Sequence, residues 1–194
     1  MISPNKINVS FYGDLIKVLR SGKVSFFQLR LKNYSWGNKL KIAKKIRLIC
    51  QNYKVKFIIN DDPILAKKIN ADGCHLGQND MDIKSARKIL KKKIIGVTCH
   101  NSLKLAKLAE RDKADYIAFG AFNLSKTKKV KYKAKIGLIN KFKKSSNIPV
   151  VAIGGINNLN YKKLLLNKAD FLAISGYIWK NKIQKPNEMV KKLK

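Results

Sequence analysis

Two aspartates and a handful of cations carry the chemistry this chain could do. Asp61 stands in Asn60-Asp61-Asp62-Pro63, directly after the apolar run Lys56–Ile59, and Asp80 closes His75-Leu76-Gly77-Gln78-Asn79-Asp80, after Gly73–Leu76. A carboxylate at the end of a buried strand suits Mg²⁺, which takes one or two carboxylates and fills its shell with water and substrate phosphate oxygens. Asp62 has a structural task, because Pro63 behind it matches a helix N-cap followed by the first helical position. Asp61 has none. Asp80 has two readings: it caps a helix starting near Met81–Ile83, or it joins Asp61 as a metal ligand.

Gln28, Arg30 and Lys32 are spaced by two and share one face of a strand. Phe26 and Phe27 mark that strand as buried, so three polar groups on its inner face must meet a ligand or each other. Arg30 can grip a phosphate in a fork, and Lys32 adds a point charge. His75 alternates inward too, either as a satisfied buried histidine or as a ligand contact. Thr98 and His100 share a face, with Cys99 turned away. After Gly120 a polar loop, 123–133, carries Ser125, Thr127 and Lys128, hydroxyls beside a lysine. Gly154-Gly155 and Ser175-Gly176 follow two later apolar runs. Each pair is a plain turn or a place where backbone approaches a phosphate.

The elements that must position these residues repeat regularly. Apolar runs at Val24–Leu31, Lys56–Ile59, Gly73–Leu76, Ile94–Thr98, Tyr116–Phe119, Val150–Ile153 and Phe171–Ile174 predict buried parallel strands. Helical patterns lie between them, at Asn38–Tyr53, Ile64–Lys68, Ile83–Leu90, Leu103–Arg111, Ala134–Lys144 and Leu159–Leu166, with another near Gly13–Leu19 and a last one at Glu188–Leu193. This alternation predicts an α/β fold, a single (βα)8 TIM barrel over residues 1–194. Ala71-Asp72, Ala114-Asp115 and Ala169-Asp170 each precede a strand, and we expect structural roles for all three aspartates. Only Met1-Ile2-Ser3 is available before the first helix, so we expect an apparently truncated first strand: either it is a stub or the chain starts late. In a barrel the candidate residues then fall at the C-terminal strand ends, where such folds place their chemistry.

The 194 residues hold 43 Lys plus Arg against 11 Asp plus Glu, a formal charge of +32. Such a balance invites a nucleic-acid partner. The cations are nearly all Lys and are spread along the chain, with Arg only at 20, 30, 47, 87 and 111. Bidentate base readout relies on Arg, so nucleic acid is not the expected partner. Three cysteines without metal-ligand spacing suggest reduced thiols in a cytoplasm. No run approaches the ~18 apolar residues of a membrane span. A homo-oligomer is compatible with the sequence, which leaves that state open.

Several ordered segments resemble the thiamine-phosphate synthase and thiazole tautomerase family. They are 27–32 (Phe-Gln-Leu-Arg-Leu-Lys), 58–61 (Ile-Ile-Asn-Asp), 71–80 (Ala-Asp-Gly-Cys-His-Leu-Gly-Gln-Asn-Asp), 96–100 (Gly-Val-Thr-Cys-His), 114–120 (Ala-Asp-Tyr-Ile-Ala-Phe-Gly), 125–128 (Ser-Lys-Thr-Lys) and 149–156 (Pro-Val-Val-Ala-Ile-Gly-Gly-Ile). The resemblance implies condensation of hydroxymethylpyrimidine diphosphate with hydroxyethylthiazole phosphate, releasing thiamine phosphate and diphosphate, with Mg²⁺. It implies that Asp61 and Asp80 hold Mg²⁺, and that Arg30, Lys32, Asn60, Thr98 and Lys128 bind the diphosphate. Gln28 and His75 would face the pyrimidine, Ser125 and Thr127 the thiazole, and Gly155 with Ser175-Gly176 its phosphate. The chain departs from the family pattern at Leu31, at Asn123-Leu124 and in the placement of Ser175-Gly176.

Two other functions remain in view. A thiazole tautomerase on the same barrel needs proton transfer rather than a diphosphate site, and the set Asp61, Asp80, Arg30, Lys32 and Lys128 argues against it. A nucleic-acid-binding protein on a decayed barrel would need a basic stripe and steep salt dependence.

Overall fold

A computed structural model describes residues 1–124 and 130–193. Its strands are β1 (Phe26–Leu29), β2 (Lys56–Asn60), β3 (Gly73–Leu76), β4 (Ile94–His100), β5 (Tyr116–Gly120), β6 (Val150–Ile153) and β7 (Phe171–Ala173). They form one seven-stranded sheet in chain order, parallel throughout. A helix follows each strand: α2 (Trp36–Asn52), α3 (Pro63–Lys68), α4 (Ile83–Leu90), α5 (Leu103–Arg111), α6 (Gly137–Lys143), α7 (Tyr161–Leu166) and α8 (Gly176–Trp179). Before them comes α1 (Val9–Leu19), and after them α9 (Pro186–Lys191).

The stub before α1 is not idle. Gln28 N–H donates to Met1 C=O at 2.8 Å, Ser3 N–H to Gln28 C=O at 2.9 Å, and Ile2 N–H to Ile174 C=O at 2.9 Å. Residues 1–3 therefore lie hydrogen-bonded between β1 on one side and the residue following β7 on the other.

The Ala-Asp repeat has one physical purpose. The Asp72 N–H donates to Phe57 C=O at 2.9 Å, and its carboxylate accepts the Phe57 N–H at 2.8 Å. Asp115 does the same to Ile95 at 2.7 Å and Asp170 to Val150 at 2.7 Å. Each thus secures the start of the preceding strand, and each is paired with a cation, Lys56, Arg87 or Lys143. The opposite strand ends are left for the candidate site. Phe27, Phe57, Phe119 and Phe142 lie fully buried between sheet and helices, with Leu15, Ile46, Leu65 and Leu90 supplied by the helices.

Some boundaries differ from the sequence expectations. The strand expected over Val24–Leu31 is only β1, so Arg30 and Lys32 lie beyond it. The helix expected near Gly13 begins at Val9, because Asn8 Oδ1 accepts the Phe11 N–H at 3.0 Å and caps it. Helix α6 starts at Gly137, three residues after the expected Ala134, and α8 was not anticipated. The last helix is shifted to Pro186–Lys191, with Pro186 at its first turn. Among the described residues, no helix is long and apolar enough to cross a membrane.

Candidate active site

At the end of β2 the chain turns through Asp61, whose backbone is left-handed at φ 66°, a conformation Asp tolerates better than most residues. Its N–H donates to His75 C=O at 2.8 Å. Asp62 then caps α3 by accepting the Leu65 N–H at 2.8 Å, with Pro63 in the first turn. Asp61 is left facing inward. Its carboxyl lies within hydrogen-bonding reach of Asp80, and Lys32 Nζ sits 3.5 Å away. Burial first, then the hydrogen bond and charge of Asp80, push Asp61 up to about 6 against the pull of Lys32 and Arg30.

Asp80 does not cap the following helix. Asp82 does, accepting the Ser85 N–H at 2.9 Å. Asp80 Oδ2 instead accepts the Gly77 N–H at 2.7 Å in a tight turn after β3. Any side chain on Gly77 would crowd that carboxylate. The two carboxyls are thus placed at neighbouring strand ends by two different turns. Two like charges brought together in a partly desolvated spot make a donor set for a hard divalent cation. Among the described residues no group of three or more His, Cys, Asp or Glu could cage a metal, so such an ion would draw its other ligands from water and substrate.

Behind this pair runs a polar chain centred on a buried histidine. His75, 6% exposed, meets Tyr116 OH through Nδ1 at 2.9 Å and Thr98 Oγ1 through Nε2 at 2.8 Å. Burial lowers His75 to about 4, so it is neutral at pH 7. Burial raises the pKa of Tyr116, and Gln28 lies close enough to offset part of that shift. Gln78 Nε2 donates to Thr98 C=O at 2.5 Å. His75 is therefore the hydrogen-bonded buried histidine of its first reading, and it also lines the cavity.

All this opens into one cavity of about 970 Å³ at the C-terminal strand ends. Gln28, Arg30, Lys32, Asn60, Asp61, His75, Asp80 and Thr98 line it on the β1–β4 side, and Gly155, Ser175 and Gly176 after β6 and β7. Gly154 and Gly155 have φ of 104° and 60°. A Cβ on either would overlap the segment Ala121–Leu124, so these glycines first serve a close approach of the loop after β5. Ser175 Oγ donates to Ser3 C=O at 3.0 Å. Ser125, Thr127 and Lys128 lie outside the described residues.

The comparisons with known proteins decide the lineage. The family described as "Thiamine monophosphate synthase" matches residues 2–178. A thiamine-phosphate synthase of Pelagibacter ubique (strain HTCC1062) is 66% identical over 195 residues, covering 100% of this chain and 94% of that protein.

The chain belongs to the thiamine monophosphate synthase family.

A second relative with the same name, from Nitrosomonas eutropha, is 41% identical over 90% of this chain and 82% of its own. The thiamine phosphate pyrophosphorylase structure from Pyrococcus furiosus superposes with a TM-score of 0.88 at 28% identity, covering 99% of this chain and 91% of that one. A 3-hexulose-6-phosphate synthase, at 14% identity and TM-score 0.70, shares the fold. For this thiamine monophosphate synthase family member, sequence reasoning missed Tyr116, which starts β5 and reaches His75 because Gly96 on β4 has no side chain in its way. It also missed Tyr132, which stacks on His100 at 4.2 Å between ring centroids, and Ser3 and Asn5 in the cavity wall. The spacing of Gly96 and Tyr116 carries no motif; only their adjacency across two strands connects them.

Proposed function

We propose that the protein is a thiamine-phosphate synthase that joins hydroxymethylpyrimidine diphosphate to hydroxyethylthiazole phosphate, forming thiamine phosphate and releasing diphosphate. The observation that carries this is the Asp61–Asp80 pair beside Arg30 and Lys32, in the same cavity as Gly155 and Ser175-Gly176. Asp61 and Asp80 would hold Mg²⁺, whose chemistry would be to neutralise charge on the departing diphosphate. Arg30 and Lys32 bind the same diphosphate from the β1 side, with Asn60 and Thr98 donating hydrogen bonds. Lys128 adds a third cation from the loop after β5. His75, neutral and fixed by Tyr116 and Thr98, presents with Gln28 a polar wall to the pyrimidine ring. The aminopyrimidine itself stabilises positive charge as diphosphate leaves, and the thiazole nitrogen then attacks. Ser125 and Thr127 contact the thiazole, and the backbone at Gly155 and Ser175-Gly176 takes its phosphate. The protein supplies position and electrostatics and needs no nucleophile of its own.

The same reading treats Met1–Ser3 as the first strand of a closed eightfold barrel, supported by its bonds to both Gln28 and Ile174. Cys50, Cys74 and Cys99, unpaired and buried, are compatible with a reducing, cytoplasmic setting. The test is direct: purified protein, both phosphorylated substrates and Mg²⁺ should yield thiamine phosphate. A folded sample that makes none, with a known synthase active in parallel, removes the proposal.

A further inference from the structure

Arg30 is the cation best shaped for a diphosphate, yet it lies past the end of β1, where no ladder fixes it. A short segment from before α1 holds it instead. Ser3 Oγ accepts the Arg30 backbone N–H at 3.0 Å, while its own single proton is shared between Pro4 C=O at 3.1 Å and, more weakly, Arg30 C=O at 3.5 Å. Arg30 Nη1 donates to Asn5 Oδ1 at 3.3 Å. Ser3 is 2% exposed and is tied from the far side by Ser175, so the segment offers a firm base. Ser3, Asn5 and Arg30 all line the substrate cavity.

We propose that Asn5 is a positioning residue, whose amide oxygen aims the Arg30 guanidinium at the diphosphate while leaving its charge intact. This rests on the proposed diphosphate site. The contrast with Lys32 carries the argument. Lys32 ion-pairs with Asp61, whereas among the described residues no carboxylate pairs with Arg30. An amide carbonyl takes one of the five guanidinium N–H donors and leaves the rest for phosphate oxygens. A carboxylate at position 5 would grip harder, but it would cancel the charge and repel the ligand.

The experiment measures binding of inorganic diphosphate with Mg²⁺ to the wild type, Asn5→Ala, Asn5→Asp, Arg30→Ala and the Asn5→Ala/Arg30→Ala double variant, with steady-state kinetics and thermal midpoints alongside. Asn5→Ala should weaken diphosphate binding about three- to tenfold, the scale of a typical net hydrogen bond at a position open to solvent. Asn5→Asp should be at least as weak although it keeps an acceptor. In the Arg30→Ala background Asn5→Ala should change nothing further, since the cycle isolates the pair. KM for the pyrimidine diphosphate should rise while KM for the thiazole phosphate and the thermal midpoint hold. Additive effects in the double variant, wild-type binding by Asn5→Asp, equal rises in both KM values, or a wild type that does not bind diphosphate would each overturn the proposal. If the wild type binds diphosphate but makes no thiamine phosphate, the synthase reading fails while the Asn5 result still stands.

Discussion

Asp61 concentrates the logic of the site. Its raised pKa and the closeness of Asp80 both disfavour a bare carboxylate there, and a cation held by the two would relieve them together. Asp61→Asn and Asp80→Asn should therefore each lower Mg²⁺-dependent turnover by about 100-fold or more, the scale of lost electrostatic stabilisation of a leaving group. Circular dichroism and thermal midpoint should stay near wild type, because neither carboxylate caps a helix. Full activity in both variants, or in the presence of chelator, would remove the metal assignment. These aspartates were legible in the sequence because a carboxylate following a buried strand, with no cap to make, has few structural reasons to be there. Asp80 could not be separated from a cap until Asp82 was seen in that place.

Elements decide what single residues can reach. Tyr116 meets His75 across β4, and it does so only because Gly96 leaves room under the phenol ring. Gly96→Ala should push that ring aside, raise KM for the pyrimidine substrate several-fold and cost about 1–3 kcal/mol in urea unfolding, as an over-packed core position does. Unchanged KM with unchanged stability would show that the ring has slack. On α5, Glu110 accepts from Ser146 in the segment before β6 and from Lys107. The Ser146 hydrogen bond, ahead of Lys107, holds its carboxyl below the usual range. A depressed folded-state value stabilises the fold above the ordinary glutamate pKa, and that contribution fades as pH falls through the folded value. Glu110→Gln should thus be less stable than wild type near neutrality, with the gap closing in acid; a gap that widens in acid would contradict the assignment.

For the whole molecule, the +32 charge now has a limited meaning. Arg30 and Lys32 line the cavity, while Lys56, Arg87 and Lys143 are tied to the strand-start aspartates. The surplus field should speed capture of a diphosphate substrate without touching the chemical step. Raising salt from low to physiological strength, where charges are screened beyond about 8 Å, should lower kcat/KM for that substrate and leave kcat unchanged. A kcat that falls in parallel would place the effect in the site instead. The strand order was legible because seven short apolar runs, each followed by an amphipathic stretch, leave a parallel sheet as the economical burial. By itself the sequence determined the α/β class, the strand ends and the types of residue standing there, since these follow from local periodicity. Only the tertiary structure decided that Asp80 faces Asp61, that Tyr116 reaches His75, that the glycines after β6 serve a neighbouring loop, and that Ser3 and Asn5 hold Arg30. Those are contacts between segments far apart in the chain, and they exist only once the sheet has set its register and curled the strand ends around one cavity.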